Sequence, residues 1–225
     1  MNSRQASGMI VGIALVLGVT IPAQAGPPLI CHVIEIGPAK TLPRVDLNGA
    51  EDSGYDLKNL TRDTLAILDS GAPVLVQMET LRRATLYARL DPQVAKELLT
   101  RLQVRAVDSE AAGHLDAMAF FDAGYLIETY QQWMGKNEPN PARGLDGYRL
   151  VKKAISMRGA DPELEFAAAL ITLRGPESDH REHYQKALAG AQNDPLLARN
   201  LATTFNAQTM ASMLRAERPE VQPSN

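Results

Sequence analysis

The chain has 225 residues, of which 22% are charged, with a formal net charge of −3 at pH 7 and a single cysteine. That charge balance excludes a polycationic nucleic-acid binder, and one cysteine excludes a disulfide framework. Aromatic residues make up only 5%, and the apolar content rests on Ala and Leu, which favours helices over sheets.

The first predicted element is an export signal over residues 1–25. Arg4 precedes an apolar run from Met9 to Ile21, and Ala23-Gln24-Ala25 puts small residues at the two positions a signal peptidase reads. The run holds about a dozen apolar residues, short of the roughly 20 that a membrane span needs. The expectation is an exported protein, periplasmic or extracellular, with no stable membrane span after signal removal; a retained anchor is the alternative. Ile30, directly before Cys31, is bulky where lipoprotein processing takes a small residue. Cleavage after Ala25 leaves 200 residues, enough to build one domain without covalent staples.

Residues 26–55 are rich in Pro and Gly, and short β-like runs such as residues 31–36 break before they can pair, so this part reads as an extended arm. From Asp56 the apolar residues return every three or four positions. The pattern predicts helices over 57–69, 74–90, 92–106, 110–134, 145–158, 162–173, 178–191 and 195–214, a helical domain over 56–215, and an unstructured tail at 216–225.

Three of these helices open in the same way, at Asp91-Pro92, Asp161-Pro162 and Asp194-Pro195. The Asp side chain accepts orphan N–H bonds of the first turn, and Pro at the next position lacks an N–H that the helix has no use for. Seven residues before each Asp stands an alanine preceded by a basic residue: Arg83-Ala84, Lys153-Ala154 and Lys186-Ala187. After each Pro, residues spaced by four form one face: Val94-Leu98-Leu102, Leu164-Ala168-Thr172 and Leu197-Leu201-Phe205. The starts lie 70 and then 33 residues apart, which predicts a unit near 34 residues with one diverged copy between the first two. A small alanine would let the next helix approach, and the apolar face would close onto it, giving stacked helical hairpins.

This pattern resembles tetratricopeptide repeats over roughly residues 74–205, interrupted at 135–145. The segment His183-Tyr184-Gln185-Lys186-Ala187-Leu188 is similar to the second helix of such a unit, and Asp194-Pro195 to its exit. Residues 121–128 resemble the tight turn inside one and would be the missing copy. The alanine lies eight residues before the Pro rather than about five, and the Trp and Gly of the first helix are mostly absent, so degenerate helical repeats of another kind stay open. The resemblance implies an all-α solenoid of stacked hairpins with a concave face for peptides or protein partners. It assigns no binding residue.

Four residues are candidate ligands for a metal or a thiol chemistry: Cys31 and His32, adjacent in the arm, and His180 and His183, three apart on a predicted helix. Neighbours in an extended segment point to opposite sides, which weakens Cys31 and His32 as a shared pair. Two imidazoles fall short of the four ligands of a structural zinc, so the ordinary reading is an arm packed against helices and histidines on a helix surface. The doublets Arg82-Arg83 and Lys152-Lys153 read as the solvated edge of a helix. The acidic turn at 46–52 lacks the alternating ligands of a calcium loop, and Asn59-Leu60-Thr61 forms a glycosylation sequon on a predicted helix. No nucleophile turn or glycine-rich phosphate cradle occurs.

The sequence therefore predicts a secreted or periplasmic helical-repeat scaffold for protein or peptide partners, with no catalysis and no cofactor. Two other classes are carried beside it: a metal- or thiol-dependent site on Cys31 and His32, with His180 and His183 brought near, and an envelope component that self-associates through its alanine-rich helices.

Overall fold

A computed structural model describes residues 28–45, 54–133 and 139–205. The export signal, the acidic turn at 46–52 and the C-terminal tail lie outside the described residues. Those described form helices and loops with no strand: α1 Pro28–Cys31, α2 Leu60–Leu68, α3 Val74–Ala88, α4 Pro92–Ala111, α5 Ala117–Trp133, α6 Gly147–Arg158, α7 Pro162–Thr172, α8 Glu177–Gly190 and α9 Pro195–Thr204. Single 3-10 turns, Leu57–Asn59 and Ala191–Asn193, lead into α2 and α9. Among the described residues no helix is long and apolar enough to cross a membrane.

The three Asp-Pro starts are built as their chemistry requires. Asp91 accepts from the N–H groups of Gln93 and Val94 at 2.8 and 3.4 Å, Asp161 from Glu163 and Leu164 at 3.1 and 3.3 Å, and Asp194 from Leu196 and Leu197 at 2.9 and 3.0 Å. Each Pro occupies the first turn. The faces that follow turn inward: Leu98 and Leu102, Leu164 to Thr172, and Leu197 with Leu201 and Phe205 are buried. Ala84, Ala154 and Ala187 are each fully buried on the preceding helix. Helices joined across an Asp-Pro corner nevertheless pack less on one another than α5 does on α6 or α7 on α8. The corner thus redirects the chain more than it closes a hairpin.

At the centre lies α3, touched by α1, α2, α4, α5 and α7 and buried along nearly its whole length. Its start follows Pro73, which offers no side-chain cap, and the missing acceptor comes from α7: Glu163 Oε2 accepts from the Leu75 N–H at 3.2 Å. Similarly, Glu128 on α5 accepts from the Tyr148 N–H at 3.0 Å in the first turn of α6. A carboxylate at a helix N-terminus meets the exposed N–H groups and the positive end of the dipole together. Burial raises the pKa of both Glu128 and Glu163.

Two sequence expectations are corrected. Residues 121–128, read as a tight turn, lie in the middle of the uninterrupted α5. Gly124 there serves a crossing: a Cβ would meet the Gly147 carbonyl oxygen at 2.6 Å and the Leu150 side chain at 2.9 Å, so α5 and α6 touch backbone to backbone. The break expected between 106 and 110 is also absent. In that stretch α4 presents Val107 and Asp108 to solvent, so its apolar pattern fades before the helix ends. The stop comes at Gly113, whose φ of 70° suits only a residue without a side chain.

Replacing Gly124 by alanine forces the α5–α6 crossing apart. The expected loss is about 1–3 kcal/mol of unfolding free energy by urea titration, against little change for an alanine placed at the exposed Ser156.

Candidate functional site

The densest polar cluster lies on α3. Glu79 is fully buried and its carboxylate is shared: Oε2 binds Arg82 Nε at 2.7 Å and the Ile34 N–H at 3.0 Å, and Oε1 binds Arg82 Nη2 at 3.0 Å and Arg83 Nε at 2.7 Å. The arginines carry the contact onward, Arg82 Nη1 donating to the Ile30 carbonyl at 3.0 Å and Arg83 Nη1 to that of Leu42 at 2.6 Å. Spacings of three and four put the three side chains on one face of the helix. They fasten residues 29–45, whose Leu29, Ile34, Leu42 and Val45 join the core. Arg82 is thus 3% exposed, where the sequence suggested a solvated edge. The cost of burying these charges is met by mutual pairing and by main-chain acceptors.

A second chain of polar contacts links α6, α7 and α8. His183 Nδ1 lies 2.5 Å from Glu165 Oε2, and its Nε2 shares a hydrogen bond of 2.7 Å with the Tyr148 hydroxyl. Burial pushes Tyr148 up to about 12, so the hydroxyl keeps its proton near neutrality. Lys186 stands 3.6 Å from Glu165 Oε1 but binds Glu182 at 2.6 Å, and with Glu165 it borders a cavity of about 380 Å³ between the end of α6 and the start of α7. His180, one turn earlier, donates from Nδ1 to the Ala169 carbonyl at 2.8 Å, while its buried Nε2 has no hydrogen-bond partner. Burial lowers its pKa, disfavouring the charged ring.

The histidines on α8 are therefore buried rather than on the surface, at 4% and 7% exposure. The cause is the all-round packing of α7, whose Ala169 carbonyl and Glu165 carboxylate offer the partners. His180 and His183 point into different contacts, and both ring nitrogens of His183 are engaged within the protein. Cys31 closes α1 with a free, half-buried thiol, and His32 follows it, also half-buried. Among the described residues no group of three or more His, Cys, Asp or Glu is placed to hold a metal ion.

Asp122 on α5 is the most perturbed acid. Its Oδ2 accepts from Arg105 at 3.2 Å, its Oδ1 is buried without a partner, and burial outweighs the arginine to push its pKa up to about 8. Arg105 also pairs with Asp69 at 2.9 Å.

An open groove of about 460 Å³ runs between α4 and α6, floored by α5. Ala106, Phe120, Ala123, Ile127 and Leu150 give it an apolar base, and Glu110, Asp146, Arg149 and Lys153 a rim of both signs. Lys153 bridges to Glu110 at 2.8 Å while its ammonium sits 3.9 Å from the centre of the Phe120 ring. Val107 at its lip is 63% exposed. The groove escapes a sequence reading because its residues come from three helices and each alone reads as ordinary core. The Glu79 cluster carries a visible signal, Glu followed by Arg at three and four, but spacing does not tell a buried trio from a solvated one.

Two measurements follow from these clusters. Glu79→Ala leaves Arg82 buried without its anion and is expected to cost about 3–5 kcal/mol in urea unfolding. Asp122 keeps a proton in the folded state after the unfolded chain has lost it, so the native state binds more protons between pH 4 and about 8. Stability should then fall as pH rises through that window, by on the order of a few kcal/mol. Asp122→Asn should flatten that slope in Tm measured from pH 5 to pH 8; an unchanged slope would place the titration elsewhere.

Comparisons with protein-family models, with curated proteins and with solved structures find no match to this chain, so its function is read from its own residues.

Proposed function

We propose that the chain is an exported helical-repeat scaffold, tetratricopeptide-like in plan with residues 26–55 as its arm, that binds protein or peptide partners and performs no chemistry itself. The groove between α4 and α6 carries this reading. An apolar floor bounded by charges of both signs suits an amphipathic helix laid lengthwise, with apolar anchors down and polar residues against the rim. The exposure of Val107 and of Val104, at 63% and 45%, extends the apolar surface along α4 beyond the groove itself. Support for the repeat plan comes from the three equivalent Asp-Pro caps and the three buried alanines before them. Glu79 and His183 are each saturated by partners from the protein, which fits a role in holding helices together.

A photo-crosslinking amino acid at position 107, in the full chain expressed in its own host, tests the reading. Discrete adducts are expected, absent when the probe stands at the exposed Lys96 on the same helix and lost when Leu145→Asp puts a charge on the groove's exposed edge. Equal labelling at positions 107 and 96 would overturn the groove as a docking site.

A further inference from the structure

The cavity of about 380 Å³ between the end of α6 and the start of α7 offers acceptors where most small sites offer both kinds of polar group. Ser156 lines it, and the hydroxyl proton is committed to the Lys153 carbonyl at 2.7 Å, so this oxygen has only lone pairs left to give. The Gly159 N–H is likewise spent, on the Ile155 carbonyl at 2.9 Å, and Pro162 has none. Glu165 is the buried charge of the lining, 3% exposed. Its Oε2 lies 2.5 Å from His183, whereas its Oε1 has Lys186 as an ion-pair partner at 3.6 Å, longer than a hydrogen bond. Lys186 makes its shorter contact, 2.6 Å, with Glu182, whose side chain is 64% exposed. The buried carboxylate therefore holds the weaker half of a shared ammonium, and a second ammonium can take over that half without breaking the shorter pair.

We propose that this cavity binds a primary alkylammonium group, with Glu165 as its counter-ion, the Ser156 hydroxyl as a further acceptor, and Ile155, Ala160 and Pro162 along its carbon chain. A charge-assisted bond to a carboxylate already withdrawn from water is the strongest single contact the lining can make. An anion would meet the oxygens of Glu165 and Ser156 with Lys186 as its one cation. A metal ion needs more ligands than one carboxylate and one hydroxyl, and among the described residues no group of three or more His, Cys, Asp or Glu is placed to hold one. The side chain of Lys186, a four-carbon stem ending in an ammonium, is itself the pattern of the ligand. A free alkylamine and a lysine side chain of another polypeptide carry the same group. The site shares no lining residue with the groove between α4 and α6, and its occupancy does not depend on the partner proposed there.

The test titrates the full chain with n-butylammonium chloride at constant ionic strength and follows the backbone amides by two-dimensional NMR. Saturable shifts are expected at residues 156–165 and 186, with one ligand per chain, and n-butanol should give none. Lys186→Met removes the internal competitor and should tighten binding at least fivefold, while Glu165→Gln should abolish the saturable shifts. Because Glu165 also touches His183, Ala160→Phe serves as a second variant: it fills the apolar side at an exposed position, leaves the carboxylate in place, and should weaken binding at least fivefold. Nα-acetyl-lysine methylamide binding within tenfold of butylammonium assigns the site to lysine side chains; weaker binding assigns it to free amines. Absence of saturable shifts, equal binding of butanol, or a Lys186→Met protein that binds no more tightly would overturn the proposal.

Discussion

One fully buried carboxylate organises the centre of this molecule. Glu79 has two guanidinium groups and one amide as partners, and without them its charge could not remain inside. Because the arginines reach on to carbonyls of residues 30 and 42, satisfying the charge and fastening the N-terminal segment are one event. The central helix can then carry Glu79 and Arg82 in buried positions, while Thr80 and Thr85 bond back to the Val76 and Leu81 carbonyls of the same helix.

The same economy recurs where helices meet end to side. Glu163 supplies a cap to a helix far away in sequence, tying α7 to the start of α3, and Glu128 caps the next helix along, tying α5 to the start of α6. Asp residues at the N-caps do the local capping, and glutamates from neighbouring helices add to it. Helix order in the fold is thus specified partly by polar groups at termini, beyond what apolar faces alone would determine.

How far the fold is legible in the sequence depends on the range of the interaction. The Asp-Pro starts of α4, α7 and α9 are local, so both their positions and their chemistry can be read directly. The glycine at 124 cannot, because nothing in its neighbourhood says that its partner is Gly147 on the next helix; a turn and a close crossing leave the same mark in one dimension. His180 and His183 belong to the same class. Their three-residue spacing suits a helix surface or a metal, and only the packing of α7 against α8 turns them toward Ala169 and Glu165. The groove between α4 and α6 is invisible for a related reason, being a shape made by three helices and not a property of any.

A segment held by its amide groups is indifferent to many of its own side chains. Between Leu29 and Val45, the residues that drop between helices answer to the core, while Val33, Pro38 and Lys40 are exposed to solvent. Sequence drift should therefore be lopsided along this stretch, free at outward positions yet intolerant of any residue that deletes a needed amide hydrogen. The burden of constancy shifts to the gripping side, to Glu79 and Arg82, where a single lost functional group releases several points of attachment at once.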